Sequence, residues 1–325
     1  MVIGMSKLKA IEWDGKTITK PGLYARVPLS LYHSQQICDG PSISSSGLRT
    51  IFNESPAHFY VEWDGNPERI ERKDSRAFIL GRATHHLVLG EKFFSKLFCM
   101  QPTDYVGEDE KTGLPTAKPW NNNAKACRAW QEARRKEGRT VLTAKEVEQI
   151  KGMATKLALH PIIRAGALNG QIERSIFWVD KKTGIWLKSR PDCIPEADET
   201  FVDLKKTRSV IWNDLVRTIG EYSYHQQGAL ILRAAREVLG MVSPTFTLVF
   251  CEDGPPYAPR VVTLKENDLA LGDAQNRAAI DIFARCLKSG QWPGPGGDHE
   301  DAEHLELSDF EQKRIKDKLT IMGAG

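Results

Sequence analysis

The chain has 325 residues, of which 41% are hydrophobic and 27% charged, and its formal net charge is +3. This composition is that of a globular protein with a sizeable core, and the small positive charge is compatible with a nucleic-acid partner without indicating one. No apolar run approaches the roughly 18 residues that a membrane span needs, and the start of the chain lacks the apolar stretch of a secretory signal. We therefore expect a cytoplasmic protein with no membrane contact.

The cysteines are scattered, and none of them belongs to a Cys-x-x-Cys pair. Zinc ribbons and iron–sulfur clusters need closely spaced thiolates, so we expect no iron–sulfur cluster and no zinc ribbon. Reduced and mostly buried thiols are the simpler interpretation.

In chain order, residues 1–40 are a mixed segment with a strand or two, which we treat as an N-terminal extension. A short helix should follow Ser55 as N-cap and Pro56 as first-turn residue, and the 3.6-residue apolar spacing of 75–90 predicts a second helix. The segment 102–123 is rich in Pro, Gly and Asn, which predicts a long surface loop.

Two more helices should precede a change of pattern near residue 170. One covers 124–138, and the other runs from a capping box at Thr143 and Glu146 to about His160. Beyond them the segments predicted as strands are 171–180, 184–194, 200–206, 244–252 and 260–264, and those predicted as helices are 213–240 and 267–290.

This order predicts an α/β fold in which a mixed central β-sheet is flanked by helices, with a helical N-terminal layer. We expect one domain over 41–295. The remaining segment, 296–325, should be a linker followed by a C-terminal helix that starts at a capping box formed by Ser308 and Glu311.

The stretch "SRPDCIPEADETFVDLKK" carries the first candidate site. Alternate residues of a strand share a face, so Asp203 and Lys205 should lie side by side while Leu204 turns into the core. The intervening turn can fold Asp192 back beside Asp203. Oxygen ligands of this kind suit Mg²⁺ or Mn²⁺, with the Leu204 backbone carbonyl as an additional ligand, and such a metal can act on a phosphodiester. For Asp-x-Lys alone, an ordinary salt bridge on a hairpin is the more frequent alternative.

Other polar residues strengthen the metal interpretation. Glu173 supplies a third carboxylate on the neighbouring predicted strand. His85 and His86 are adjacent on a helix and point about 100° apart, so at most one of them can face a metal; a satisfied core histidine is the alternative. Tyr224 and Gln227 share a helix face, and Gln227 could donate to a phosphate or simply be solvated.

These residues, in this order, resemble the PD-(D/E)xK nuclease superfamily. The resemblance is greatest to the phage and prophage exodeoxyribonuclease VIII (RecE-like) exonucleases, which are related to lambda exonuclease and to the RecB nuclease domain. It covers about residues 41–295. The pieces that carry it are "SPAHF" at 55–59, "GRATHHLVL" at 81–89, Glu173, "RPD" at 190–192, "DLK" at 203–205 and Tyr224-x-x-Gln227.

The resemblance implies a restriction-endonuclease-like core and a role for each matched residue. His85, Asp192, Asp203 and the Leu204 carbonyl would bind Mg²⁺, with Mn²⁺ tolerated, and Glu173 would assist a second ion. Lys205 would be catalytic. Gln227 would position the substrate, and Arg190 and Tyr224 would contact DNA.

The activity implied is a Mg²⁺-dependent exodeoxyribonuclease that degrades linear double-stranded DNA from its ends, 5′→3′. It would leave 3′ single strands for recombination by an annealing protein, and the enzyme would be a homo-oligomer, a ring-like trimer or tetramer. The residues themselves fix neither polarity nor oligomeric state. Two alternatives remain: an endonuclease of restriction or structure-specific type on the same core, and a catalytically silent DNA-binding module.

A second candidate contact with DNA is the basic segment "KACRAWQEARRKEGR". Its strongest candidates for neutralising phosphates are Arg128, Arg134 and Arg135. A solvated helix face, with these charges offset by Glu132 and Glu137, is an equally good interpretation.

Overall fold

A computed structural model of the protein describes residues 8–71, 75–89, 94–109, 111–172, 174–195, 198–296, 302 and 304–323. The helices of these residues are α1 (Leu29–His33), α2 (Ser45–Asn53), α3 (Pro56–Glu62), α4 (Arg76–Val88), α5 (Phe94–Leu97), α6 (Lys125–Lys136), α7 (Ala144–Leu159), α8 (Pro161–Arg164), α9 (Trp212–Glu221), α10 (Tyr224–Leu239), α11 (Glu266–Ser289) and α12 (Asp309–Ile321).

The strands of the same residues complete the element order. They are β1 (Ile11–Glu12), β2 (Gly22–Ala25), β3 (Ser42–Ser44), β4 (Phe98–Met100), β5 (Asp104–Glu108), β6 (Pro115–Pro119), β7 (Thr140–Leu142), β8 (Gly170–Ile172), β9 (Ser175–Val179), β10 (Trp186–Ser189), β11 (Cys193–Pro195), β12 (Thr200–Thr207), β13 (Thr245–Glu252) and β14 (Pro259–Thr263). No helix in these stretches is long and apolar enough to cross a membrane.

Two mixed sheets form the framework. The larger has the order β1-β2-β9-β10-β3, with parallel pairs at both edges and antiparallel pairs between them. The smaller has the order β12-β13-β14, in which β12 and β13 are parallel and β14 is antiparallel to β13. Helices flank both sheets, so the predicted α/β class is confirmed. The strands predicted after residue 170 divide among three sheets: β9 and β10 join the larger sheet, β12, β13 and β14 form the smaller one, and β8 pairs with β11 in a separate two-stranded sheet.

Helix α10 is packed in the main core together with residues of α11 and of both sheets. Every residue from Gly228 to Ala235 is buried except Arg233. Gly228 allows a close approach to the smaller sheet, since a Cβ there would lie 2.4 Å from Phe246. On the opposite face of β12, Val202 and Leu204 pack against Met153 of α7 and its neighbours. The alternation of β12 therefore leaves Asp203 and Lys205 on the face that meets α10.

Residues 11–25 of the predicted extension contribute two strands to the larger sheet, where β2 pairs with β9. The segment that follows covers the face of this sheet that points away from α10. Val27, Tyr32 and Ile37 pack there against Phe177 and its neighbours. The N-terminal part of the chain is thus continuous with the sheet.

The predicted helix starts are confirmed. The Ser55 hydroxyl accepts a hydrogen bond from the His58 N–H with Pro56 in the first turn, and Thr143 and Glu146 form a reciprocal capping box. Ser308 caps the last helix through the N–H of Glu311. Short-range capping chemistry was sufficient to place these elements.

The prediction of a loop over 102–123 is wrong, because β5 and β6 form an antiparallel hairpin there. Both strands alternate between exposed and half-buried residues, and Val106 is exposed, so no buried apolar face marks them in the sequence. Backbone pairing and a turn at Gly113, which has a φ of +67°, hold the hairpin instead.

The single helix predicted over 213–240 is also wrong. Helix α9 ends before Ser223, which has a φ of +52°, and α10 starts after it. Helix α2 stabilises the break: Arg49 Nη1 donates to the Tyr222 carbonyl at 2.6 Å, and Asn53 Nδ2 donates to Ser223 Oγ at 3.2 Å. The break depends on contacts remote in sequence, so local periodicity did not reveal it.

Candidate active site

Asp203 and Lys205 project side by side from β12 toward α10. Asp203 is buried, with its side chain 2% exposed, and Oδ2 forms an ion pair with Lys205 Nζ. Its other oxygen, Oδ1, accepts a hydrogen bond of 2.9 Å from Gln227 Nε2 on α10. Both oxygens of this carboxylate are therefore held in place.

Asp192 lies at the edge of β12 that is not paired with β13. Its Oδ2 accepts a hydrogen bond of 2.8 Å from the Leu204 N–H, and its Oδ1 is 3.4 Å from His85 Nδ1 on α4. The N–H and C=O of one strand residue point to the same edge of the strand, so the Leu204 carbonyl also points toward the edge where Asp192 lies. The sequence-predicted residues His85, Asp192, Asp203, Leu204 and Lys205 are thus brought together.

The two carboxyl groups have opposite pKa shifts. Burial opposes the ionisation of Asp192, but His85, Lys205 and the Leu204 N–H outweigh it and lower the pKa of Asp192 to about 2. Burial and the charge of Asp192 together raise the pKa of Asp203 above its ordinary value, against the attraction of Lys205. Asp203 is therefore the acid of this site whose ionised form is the less favourable.

The two cations respond to these carboxylates. Burial disfavours the charged form of Lys205, yet Asp203 and Asp192 raise the pKa of the amine above its usual value. The pKa of His85 is raised in the same way, since Asp192 outweighs the effect of burial. The site thus holds two acids and two bases in close electrostatic contact.

The donor set fits a hard divalent cation. Carboxylate oxygens and a backbone carbonyl are the ligands that Mg²⁺ and Mn²⁺ prefer, and Asp192, Asp203 and Leu204 supply them where Asp192 meets β12. Within the described ranges, no three His, Cys, Asp or Glu side chains form a group that could hold a metal ion by themselves. Glu173, the predicted third acid, lies outside the described residues.

Tyr224 and Arg49 border the cluster of His85, Asp192, Asp203 and Lys205. The Tyr224 ring centre is 5.1 Å from Lys205 Nζ. Arg49 of α2 was not predicted; its charge is close enough to interact with Asp203 and Tyr224, although burial is the larger effect and lowers its pKa. An arginine on an amphipathic helix carries no sequence signal for such a position.

Arg190, predicted as a DNA contact, lies against the N-terminal segment. Its Nη1 donates to the Val27 carbonyl at 2.9 Å and to Ser175 Oγ at 3.4 Å, and its guanidinium is 5.9 Å from the centre of the Tyr32 ring. These contacts tie the start of the "RPD" stretch to the larger sheet.

His86, the second histidine considered in the sequence, has surroundings different from those of His85. His86 packs edge-to-face on Phe98 with ring centres 5.5 Å apart, whereas His85 contacts Asp192.

The basic helix α6 offsets part of its own charge. Arg134 and Arg135 form ion pairs of 2.8 Å with Glu137 and Glu132, respectively. Arg128 is exposed at the start of the same helix. These ion pairs are those expected of a solvated helix face, and contact of Arg128, Arg134 and Arg135 with DNA stays a prediction.

The sequence matches the model of a known protein family. The sequence profile of a family described as "PDDEXK-like domain of unknown function (DUF3799)" matches residues 44–304. The chain belongs to this family.

A solved structure shares the architecture. The crystal structure of a "Putative exonuclease" from Eubacterium rectale aligns with a TM-score of 0.57 at 13% identity and covers 89% of this chain and 98% of that chain. At this identity the likeness shows the fold alone. The structure of SSO0001 aligns with a TM-score of only 0.25 at 15% identity, over 48% of this chain and 70% of that chain. No curated protein matches the sequence.

Proposed function

We propose that this protein is a divalent-metal-dependent deoxyribonuclease that degrades linear double-stranded DNA from its ends. The observation that carries the proposal is that Asp192, which binds the edge of β12, lies with Asp203 and Lys205 of that strand in one charged cluster, with His85 beside them. The PDDEXK-like family and the fold shared with a protein described as an exonuclease support a nuclease.

The residues of the site have distinct parts in this chemistry. A divalent cation held by Asp192, Asp203 and the Leu204 carbonyl would polarise the phosphate that is cut. Lys205, which stays protonated near neutral pH because of its acidic neighbours, stabilises the negative charge that develops on the phosphate oxygens. Gln227 keeps the Asp203 carboxylate oriented through its hydrogen bond.

The finer features of the proposal come from the resemblance to RecE-like exonucleases. They are Mg²⁺ as the usual ion with Mn²⁺ tolerated, a 5′→3′ direction, 3′ single strands passed to an annealing protein, a ring-like trimer or tetramer, and a cytoplasmic location. Glu173 as an aid to a second ion belongs to the same proposal.

The test uses linear duplex DNA labelled in separate preparations at each terminus, with Mg²⁺ or with a chelator. We expect label at the 5′ ends to be released first as mononucleotide, only with the metal present, while closed circular duplex stays intact. Cutting of the circle would support the endonuclease instead. Binding of the linear DNA without any release of nucleotide would support the catalytically silent module.

A further inference from the structure

Tyr222 and Tyr224 stack across the break between α9 and α10. Their ring centres are 5.7 Å apart and the ring planes differ by 15°. In a continuous helix, residues i and i+2 point about 200° apart and cannot touch in this way. The left-handed conformation of Ser223, with a φ of +52°, is what brings both rings to one side.

The break is held by the surrounding structure. A positive φ is unfavourable for a residue other than glycine, and such conformations persist where neighbouring contacts impose them, often at functional sites. Ser223 is buried, its Oγ donates to the Gly220 carbonyl and accepts from Asn53, and Arg49 binds the Tyr222 carbonyl. Helix α2 thus fixes the backbone on which the outer tyrosine stands.

The stacked pair connects the candidate active site with the surface. Tyr224 lies against the Lys205 ammonium and against Phe250, whereas Tyr222 is 54% exposed. One face of the Tyr222 ring stacks on Tyr224, and about half of the residue is exposed to solvent. The exposed ring of Tyr222 is therefore separated from Lys205 by a single ring, that of Tyr224.

We propose that Tyr222 is a stacking site for a nucleobase of the DNA strand next to the phosphate that is cut. Aromatic rings stack on any base, so such a contact aligns a strand without selecting its sequence. This suits an enzyme that must accept each successive nucleotide in turn. The inference rests on the proposed function and adds to it a residue that the sequence motifs do not include.

The alternative is that Tyr222 only shields Tyr224. A shielding ring would be replaceable without an effect that depends on the DNA base, whereas a stacking ring must lose its contribution when the base is absent. Removing the ring and the base separately and together therefore separates the two roles.

The experiment measures binding in EDTA, so that no cleavage occurs. The probe is a short DNA duplex with a single-stranded end, labelled with fluorescein at the far terminus, and a matched series carries one abasic position moved through the terminal nucleotides. The variants are Tyr222→Ala and Tyr222→Phe. Phe310→Ala, which removes an exposed ring from α12, is the control.

We expect Tyr222→Ala to weaken binding about tenfold, as loss of one base–aromatic stack does. Tyr222→Phe and Phe310→Ala should stay within about twofold of the unmodified protein, since neither removes this stack. At one abasic position the unmodified protein should lose about tenfold in DNA affinity. Tyr222→Ala should lose no further affinity at that position.

Equal binding by Tyr222→Ala, or abasic losses that are the same in both proteins, would overturn the inference and leave the nuclease proposal intact. The expected pattern in a protein that cuts no DNA with Mg²⁺ or Mn²⁺ would support the stacking site and overturn only the nuclease. A protein that binds neither probe in EDTA would overturn the inference, and cleavage of linear DNA with Mg²⁺ or Mn²⁺ would decide the nuclease proposal separately.

Discussion

Asp203 has a partner on each of its two carboxylate oxygens, Lys205 on Oδ2 and Gln227 on Oδ1. Its pairing with Lys205 was predicted from strand alternation alone, because residues two apart share a face. The position of Asp192 followed from the turn before β12. Arg49 and Tyr222 were not predicted, since both reach the site through the break between α9 and α10, which has no local signal.

Lys205 and Lys206 provide a matched pair for testing catalysis. We expect Lys205→Met to lower kcat by about 10²-fold or more, because it removes the charge next to the reacting phosphate. Lys206→Met should keep most activity, since Lys206 pairs with Asp253 at 3.1 Å on the other face of β12. Initial rates on labelled linear DNA measure both. Equal losses of activity in the two variants would show that Lys205 has no catalytic role.

The same lysine should matter for stability. Lys205→Met leaves the buried Asp203 without its counter-ion and should lower the free energy of unfolding by about 3 kcal/mol. Adding Asp203→Asn should recover part of that loss, because no buried charge remains. Urea unfolding in EDTA measures both variants, and a double variant no more stable than Lys205→Met would contradict the prediction.

This loss should depend on pH. The folded-state pKa of Asp203 is already raised, and it rises further without Lys205. The folded protein then holds the proton more tightly than the unfolded chain, so the stability of Lys205→Met falls as pH rises from about 4 through the folded-state pKa. Urea midpoints at pH 5 and pH 8 measure this. Parallel midpoints for the variant and the unmodified protein would show that Asp203 is not the responsible group.

A bound cation should stabilise the folded protein. At a hundredfold excess of Mg²⁺ or Mn²⁺ over its Kd, the free energy of unfolding should rise by about 2.7 kcal/mol. Asp192→Asn should remove most of this gain, since it replaces a carboxylate ligand by an amide. Thermal unfolding with and without the metal measures it, with Ser308→Ala, at the distant cap of α12, as the control. The same gain in Asp192→Asn would place the ion elsewhere.

At the scale of elements, helix ends were predicted where a capping residue marks them, as at Thr143 and Ser308. The β5–β6 hairpin and the break at Ser223 were missed. In the hairpin no apolar face is buried, and at the break the stabilising groups belong to α2. Local pattern therefore failed where backbone pairing or a remote helix decides the structure.

The close packing of α11 on α10 can be tested at one glycine. A Cβ at Gly272 would lie 2.6 Å from the His225 carbonyl and 2.8 Å from the Gln226 backbone. Since backbone atoms cannot move aside easily, Gly272→Ala should lower the free energy of unfolding by about 2 kcal/mol.

Gly220 of α9 is the control, because a Cβ there meets nothing within 4 Å. Gly220→Ala should leave stability unchanged or raise it by up to about 1 kcal/mol through its better helix propensity. Urea unfolding measures both variants. A harmless Gly272→Ala would mean that the two helices are not in such close contact.

At the scale of the whole molecule, the α/β class was predicted, but the division of its strands among several separate sheets was not. The pairing of β2 with β9 joins residues more than a hundred positions apart, and no periodicity encodes a partner. The segment treated as an extension consequently contributes an inner strand of the larger sheet.

The two ends of the chain should differ in their effect on stability. Deleting residues 1–25 removes β1 and β2 and leaves β9 with an unpaired edge, so we expect aggregation or a lower melting temperature. Deleting 304–325 removes α12, which has no buried residue, and should change the free energy of unfolding by less than about 0.5 kcal/mol. Thermal unfolding and size-exclusion chromatography measure both. A fully stable protein without residues 1–25 would show that these strands are dispensable.

The hydrogen bond from the Leu204 N–H to Asp192 has an evolutionary consequence. A main-chain donor is present whatever side chain occupies a position, with proline as the exception. Substitutions at position 204 can therefore change the packing against α7 without removing the hydrogen bond that orients Asp192. Among replacements at position 204, only proline removes this donor, so we expect proline to be excluded there even where another apolar residue is accepted.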